Sequence, residues 1–316
     1  MLSIVIVNWN GEKYLEPCLD SIKAQKNIGY KIYIVDNGSK DRSLEIISRY
    51  QQSMDIVLLP LKKNEGFAEA NNIGIEASLG DEHEYVLTLN NDLELKENCF
   101  LELERFISSH AHIDSFQILL MNYFERNLID AMGIYFKEDY QVVQLAYKEN
   151  YENLEEFEHQ VMGVSAGAAV YSKKALISVR DREGFFDRSF FAYYEDADLA
   201  IRLLKKGYKT ALAKDAVAYH VHSGTGIQDS PFKTYYLARN MLLLQYKNRD
   251  VSGYGKKKFR FILYHVKLSL KYVARGKFSH AASLWKALLD FYKMKSRYAD
   301  LKSVQGDNLL DERRGV

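Results

Sequence analysis

Apolar runs and amphipathic stretches alternate along the first part of the chain. Leu2-Ser3-Ile4-Val5-Ile6-Val7 is hydrophobic on both faces, the pattern of a strand buried in a parallel sheet, and it ends in the turn sequence Asn8-Trp9-Asn10-Gly11. Tyr14, Leu15, Cys18, Leu19 and Ile22 then recur at helical spacing, and that stretch closes before Gly29. Ile32-Tyr33-Ile34-Val35 repeats the buried-strand pattern and again stops in polar turn chemistry, Asp36-Asn37-Gly38-Ser39-Lys40-Asp41. A helix through Leu44, Ile47 and Tyr50, a strand at Ile56 to Leu59, a helix from Phe67 to Ala77 and a strand at Tyr85 to Leu89 follow. This alternation with short links predicts an α/β domain with a mostly parallel, Rossmann-like central sheet and flanking helices. Ligands bind such sheets outside the carboxyl ends of the strands. That rule gathers Asn8, Asn10, Asp36 and, after Leu89-Asn90-Asn91, Asp92 along one crevice.

Further along, Phe100 to Ser108 reads as a helix and Ser115 to Met121 as a strand. The pattern weakens from Asn122 to Gln160, where Gly133 to Phe136 and Gln141 to Leu145 suggest two antiparallel strands. Small residues dominate Gly163 to Ala169, which suits either tight packing or close approach of a ligand. A helix that opens in Glu195-Asp196-Ala197-Asp198 and closes at Gly207 is followed by a strand, Ala211 to Tyr219, ending in His220-Val221-His222. After Ser230-Pro231 the periodicity is helical throughout. We therefore expect a catalytic α/β domain over residues 1–228 and a helical C-terminal region over 229–316.

Composition narrows the function classes. Among 316 residues, 43 Lys and Arg face 42 Asp and Glu, so no overall field steers the chain to nucleic acid. Cys18 and Cys99 are the only cysteines and sit in no ligand-like cluster, which predicts two buried thiols in a reducing cytoplasm. No stretch is long and apolar enough for a bilayer span, and the N-terminus lacks the pattern of a signal segment. No GxGxxG follows the first strand and no GxxxxGK[ST] occurs, so neither a dinucleotide fold fingerprint nor a P-loop is supported.

In order, the chain carries Ile4-Val5-Ile6-Val7-Asn8-Trp9-Asn10, Val35-Asp36-Asn37-Gly38-Ser39-Lys40-Asp41, Asn64-Glu65-Gly66-Phe67-Ala68 with Asn72 and Gly74, Leu89-Asn90-Asn91-Asp92, Glu195-Asp196-Ala197-Asp198-Leu199 and Tyr219-His220. Together these resemble the inverting family 2 glycosyltransferases of GT-A fold, in particular their bacterial rhamnosyl- and galactosyltransferase branch, over roughly residues 1 to 240. The resemblance implies metal-dependent transfer of a sugar from a nucleoside diphosphate, dTDP-rhamnose or a UDP-hexose, to a hydroxyl of a cell-surface polysaccharide or lipid-linked glycan. It assigns Val7, Asn8, Asn10, Asp36, Asn64, Gly66, Asn91 and Asp92 to the nucleotide sugar, and Gly167 and Glu195 to the acceptor side. Asp92 matches the last position of the family's DxD motif, which here reads Asn90-Asn91-Asp92 and keeps one carboxylate. It would share Mn2+ or Mg2+ with the histidine after the last core strand, His220, with His222 two residues on as the other choice. Asp196 matches the catalytic base, since an attacking hydroxyl must lose its proton as the glycosidic bond forms. Asp198 stands at i, i+4 to Arg202 and suits a structural pair at a helix start, and Asp41 suits a helix cap. Two rivals remain at this level. A non-catalytic sugar-nucleotide-binding partner would account for the degenerate DxD but not for the acidic box, and a nucleotidyltransferase would need a Gly-rich basic loop after the first strand.

Residues 256–275 hold seven Lys or Arg and no Asp or Glu. Phe259, Ile262, Leu263, Val266, Leu270 and Val273 fall on one helical stripe with Arg260, Lys267, Lys271 and Arg275 beside it. This design fits a helix lying on an anionic membrane surface, peripheral on the inner face. It fits equally a helix packed on the catalytic domain or on a second subunit of a homodimer.

Overall fold

The computed structural model describes residues 2–26, 29–137, 141–221, 229–249 and 254–299. They divide into two compact units, the first of residues 1–135, 144–191 and 195–226, the second of residues 136–143, 192–194 and 227–316.

The first unit begins as the sequence pattern predicts: β1 (Leu2–Asn8), α1 (Glu12–Lys23), β2 (Tyr30–Asp36), α2 (Ser43–Tyr50), β3 (Ile56–Pro60), α3 (Phe67–Ser78) and β4 (Tyr85–Asn90). The chain continues with β5 (Leu93–Leu95), α4 (Cys99–Ser109), β6 (Ser115–Asn122), β7 (Ile129–Ala131), β8 (Ile134–Phe136), β9 (Val142–Gln144), α5 (Glu155–Glu158), β10 (Ala168–Ser172), α6 (Lys173–Val179), α7 (Glu195–Lys205) and β11 (Thr210–His220). Among the described residues nine strands form one sheet in the order β3-β2-β1-β4-β10-β6-β11-β5, with β7 on β6. Strands β3, β2, β1 and β4 are parallel, as are β6 and β11. β10 lies antiparallel between β4 and β6, and β5 and β7 are antiparallel additions to β11 and β6.

Side-chain alternation explains why the parallel strands read as unbroken apolar runs. Ile4, Ile6, Ile32, Ile34, Leu87 and Leu89 face one core, with Leu15, Leu19 and Ile22 of α1 and Phe100 and Leu103 of α4. Val5, Tyr33 and Val86 face the other, with Ile75 of α3, Leu176 of α6 and Leu199 and Leu203 of α7. Both faces are covered, so every second residue on each side must be apolar. Cys18 and Cys99 are buried in this unit, as expected, and burial pushes both thiols up to about 12. No helix among the described residues is long and apolar enough to cross a membrane.

In the second unit α8 (Pro231–Lys247), α9 (Tyr254–Ala274) and α10 (Phe278–Met294) pack together. Ser230 caps α8 by accepting from the Lys233 N–H at 3.1 Å, with Pro231 at the first helical position, where its missing N–H is harmless.

One amide holds the sheet's second face together across a long sequence distance. Asn72 of α3 donates to the Phe186 carbonyl at 2.7 Å and accepts from the Phe186 N–H at 2.8 Å, imitating a backbone pair in a buried setting. Asn72→Ala leaves both Phe186 groups unsatisfied, so we expect a loss of about 2 kcal/mol of folding free energy. A urea midpoint within error of wild type would mean that water or a shifted loop replaces the amide.

Candidate functional site

The carboxyl ends of the parallel strands place the polar residues side by side. Asn8 stands opposite Asp36 in the β1–β2 register, and Val7 opposite Asn90 in the β1–β4 register. Asn8 is the hub: its amide donates to Asp36 Oδ1 at 2.9 Å and Ser39 Oγ at 3.2 Å, while its Oδ1 accepts from Asn91 Nδ2 at 2.7 Å. Asp36 in turn accepts from the Ser39 N–H at 3.1 Å. A side chain on Gly11 would meet Asn91 Nδ2 and Asn8 Oδ1 at 2.1 and 2.3 Å, so this glycine is fixed by the Asn8–Asn91 bridge. Nothing in the sequence pattern marked Gly11 as more than a turn residue.

Two of the residues expected to meet the nucleotide already have structural tasks. Asn10, exposed and at φ 48°, accepts from the Lys40 N–H at 2.9 Å and so ties the first turn to the second. Asn64 accepts from the Gly66 N–H at 2.8 Å and from Asn37 Nδ2 at 3.1 Å. Gly66 has φ +90° and faces the Phe191 ring and carbonyl, which a Cβ would approach to 2.6 Å. Phe191 therefore packs directly against this glycine, leaving no room for a side chain there. Asp41 accepts from the Glu12 and Ser43 N–H groups at 2.9 and 3.1 Å and so links the starts of α1 and α2, but it stands one residue before the cap of α2, which is Arg42, so the expected capping role is corrected to a bridge between the two turns.

Asp92 and His220 are brought together by the antiparallel pairing of β5 with β11. His220 stands opposite Leu93, and the Val221 N–H donates to the Asp92 carbonyl at 3.1 Å. The Asp92 Oδ1 to His220 Nε2 distance is 3.3 Å. On the other side of the ring, His220 Nδ1 lies 2.6 Å from Asp130 Oδ2. Asp130 sits on β7, whose pairing with β6 shifts register between Leu120 and Met121. All three residues are buried. Burial disfavours the imidazolium, yet the hydrogen bonds and charges of Asp130 and Asp92 outweigh it and raise His220 to about 9. Among the described residues no three His, Cys, Asp or Glu converge as a ready-made metal cage. A carboxylate on Nδ1 is nonetheless the usual way a histidine is oriented to present Nε2 to a metal, and Nε2 here faces Asp92. His222 lies outside the described residues.

The acidic box opens α7. Asp196 accepts from the Ala166 N–H at 3.3 Å and the Ala197 N–H at 2.8 Å. The same loop reaches the end of β4, because the Asn90 N–H donates to the Gly167 carbonyl at 2.8 Å. Residues 165–167 thus connect the strand that delivers Asp92 to the carboxylate of Asp196. Burial raises the Asp196 carboxyl above its ordinary range, although hydrogen bonds oppose the shift. Glu195 is raised further, first by burial and then by the charge of Asp196. Asp198 pairs with Arg202 Nε at 2.9 Å, as its spacing predicts, and the same guanidinium donates to the Val179 and Phe185 carbonyls. Arg202, held by Asp198, therefore fastens α7 to the end of α6 and to the loop that follows it.

Against this geometry the comparisons with known proteins are consistent. The sequence model described as Glycosyl transferase family 2 matches residues 3–180, and the chain belongs to that family. Glycosyltransferase GlyG of Streptococcus pneumoniae serotype 4 is 28% identical over 152 residues, 47% of this chain and 48% of that protein. A teichoic acid poly(glycerol phosphate) polymerase of Staphylococcus epidermidis is 34% identical over 96 residues, 30% of this chain and 13% of that protein. The chain thus spans less than half the length of these relatives. Among solved structures, residues 1–349 of S. aureus TarS in complex with UDP-GlcNAc superpose with a TM-score of 0.57 at 18% identity, covering 95% of this chain and 83% of that one. The mannosyltransferase PcManGT of Pyrobaculum calidifontis, in complex with GDP-Man and Mn2+, gives 0.57 at 15% identity over the same shares. These likenesses establish a shared GT-A-like fold.

The burial of Glu195 gives a signed pH prediction. Its folded pKa is raised above the unfolded value, so its unfavourable contribution begins as pH rises through the unfolded pKa near 4.3 and grows by up to about 1.4 kcal/mol per pH unit until the folded group ionises. Glu195→Gln removes that dependence. Denaturant midpoints of wild type and variant should agree near pH 4 and diverge in the variant's favour toward pH 8. Parallel pH profiles would show that Glu195 is not held protonated.

Proposed function

We propose that this chain is an inverting, metal-dependent glycosyltransferase that moves a sugar from a nucleoside diphosphate, a UDP-hexose or dTDP-rhamnose, to a hydroxyl of a cell-surface polysaccharide or its lipid-linked precursor on the cytoplasmic side. The observation that carries this reading is the adjacency of Asp92 and His220, backed by Asp130, in the same unit as a half-buried Asp196 to which β4 is tied through residues 165–167. Cell-wall polymer enzymes among the relatives and nucleotide-sugar complexes among the structural neighbours support the substrate class.

Asp92 and His220 would hold Mn2+ or Mg2+ with phosphate oxygens and water completing the shell; one nitrogen and one carboxylate donor suit a shared divalent site and favour Mn2+. When bound, the ion would act as a Lewis acid on the departing diphosphate. Asp130 keeps the His220 ring oriented. Asn8, Asn91 and Asp36 line the strand ends where the nucleoside would lie, and Val7, Asn10, Asn64 and Gly66 shape the surrounding turns. On the acceptor side, flanked by Gly167 and Glu195, a hydroxyl oxygen attacks the anomeric carbon. Its proton passes to Asp196 as the bond from that carbon to the phosphate oxygen breaks and the nucleoside diphosphate leaves with the electron pair. Burial suits Asp196 to this task, because a base whose pKa is raised toward the working pH takes a proton more effectively.

Two substitutions separate the roles. Asp92→Ala should abolish Mn2+-dependent binding of UDP or dTDP in calorimetry while the circular dichroism spectrum stays native; unchanged affinity and metal dependence would refute the metal assignment. Asp196→Asn, near-isosteric but unable to take the proton, should lower turnover by about 10²–10⁴ with donor affinity nearly unchanged. Equal losses of donor binding and rate would instead make Asp196 a donor-positioning residue.

A further inference from the structure

Among the described residues, the three-helix unit leaves a long apolar stripe exposed. The side of α9 that packs on α8 and α10 carries Phe261, Ile262, Leu268 and Tyr272, beside buried His265 and Ser269. Phe259, Leu263, Leu270 and Val273, spaced i, i+4, i+11 and i+14, point elsewhere; Phe259 is 66% and Leu270 65% exposed. α10 repeats the arrangement. Its core side carries Leu284, Ala287, Leu288 and Phe291, while Phe278, Trp285, Leu289 and Tyr292 are exposed at i, i+7, i+11 and i+14, again a helical spacing. Two successive helices thus each bury one apolar face and display a second.

Charge selects what covers these stripes. Residues 254–299 contain twelve Lys or Arg and a single acid, Asp290, which is engaged by Lys286 and Tyr235. Arg260, Lys267, Lys271 and Arg275 lie beside the α9 stripe at helical spacing and are exposed. The exposed ring of Tyr292 has Lys258 and Lys295 over it, 5.5 and 4.7 Å from its centroid. A second copy of this unit would bring like charge against like charge, which argues against self-association through this face. Nucleic acid would meet the cations but leave Leu263, Leu270, Val273 and Leu289 in water. A bilayer with anionic headgroups meets both needs, since lysine and arginine stems reach the headgroups while aliphatic and aromatic side chains enter the acyl boundary.

We infer that α9 and α10 form a docking surface for an anionic lipid bilayer, on which the protein lies without crossing it. The full chain should co-sediment with phosphatidylcholine vesicles containing about 30% phosphatidylglycerol at least tenfold more strongly than with phosphatidylcholine alone, and lose most of that binding at about 0.5 M salt, where screening is short-ranged. Lys267→Gln with Lys271→Gln should weaken binding by about fivefold per residue. Leu270→Gln with Leu289→Gln should weaken it by about tenfold or more, with an unchanged melting curve, because both side chains are already solvent-exposed. In a Trp9→Phe background, Trp285 emission should shift to the blue on addition of anionic vesicles. Equal binding to neutral and anionic vesicles overturns the inference. So does a concentration-dependent dimer that the leucine variants dissociate while vesicles are ignored. Binding to RNA or DNA that the leucine substitutions leave intact, without vesicle binding, would overturn it in favour of a nucleic-acid surface.

Discussion

The 2.6 Å contact between Asp130 and His220 is the interaction on which the site's construction rests. Removing an imidazole and two carboxylates from water is unfavourable unless each finds partners. Here the ring stands between Asp130 and Asp92, and its proton affinity rises despite burial. The arrangement needs three strand pairings at once: β6 with β11, β5 with β11, and β7 with β6. The edge of the sheet that carries β5 and β7 is therefore organised by chemistry as much as by packing. A histidine fixed on one nitrogen by a carboxylate has its other nitrogen aimed, which is what a ligand to a shared ion requires.

The parallel core was legible in the sequence because its physics is local and repetitive. Strands covered on both faces read as unbroken apolar runs, and the amphipathic stretches between them read as helices, so β1 through β4 and α1 through α3 follow the pattern closely. The antiparallel pieces were harder. β5 and β7 are three residues each, too short for alternation to register, and their positions are set by partners more than a hundred and about ten residues away in sequence. Asp130 was invisible for that reason: it stands in a stretch whose hydrophobic pattern is weak, and only the register of β7 on β6 makes it a partner of His220. The Asp198–Arg202 pair, by contrast, depends only on helical spacing and was readable directly. Gly66 entered the sequence reading only through the family resemblance, and the packing of the Phe191 ring against it belongs to the tertiary structure.

The helical region shows the same division between what periodicity reveals and what it hides. Amphipathicity of α9 is evident in the sequence, yet the stripe that looks most like a core stripe is largely the exposed one. Ile262 is partly buried in the bundle, whereas Phe259, Leu263, Leu270 and Val273 are exposed. The packed face mixes Phe261 and Leu268 with His265, Ser269 and Tyr272, and so scores as less hydrophobic than the face that meets water. An apolar-stripe rule identifies a helix with two faces; it cannot say which face the rest of the chain has claimed.

Backbone strain is concentrated just before the acidic box. Phe191, Tyr193 and Tyr194 have φ values of 65°, 71° and 71°, left-handed conformations that each cost a non-glycine residue about 1–2 kcal/mol. Such a run persists only where surroundings over-determine it. Residues 192–194 belong to the second compact unit, where Asn240 donates to the Ala192 and Tyr193 carbonyls at 2.8 and 2.7 Å, and Arg239 braces the Asn240 amide at 2.9 Å. Glu195 and Asp196 follow at once in the chain. The helix that carries Arg239 and Asn240 therefore stabilises the backbone turn from which α7 starts.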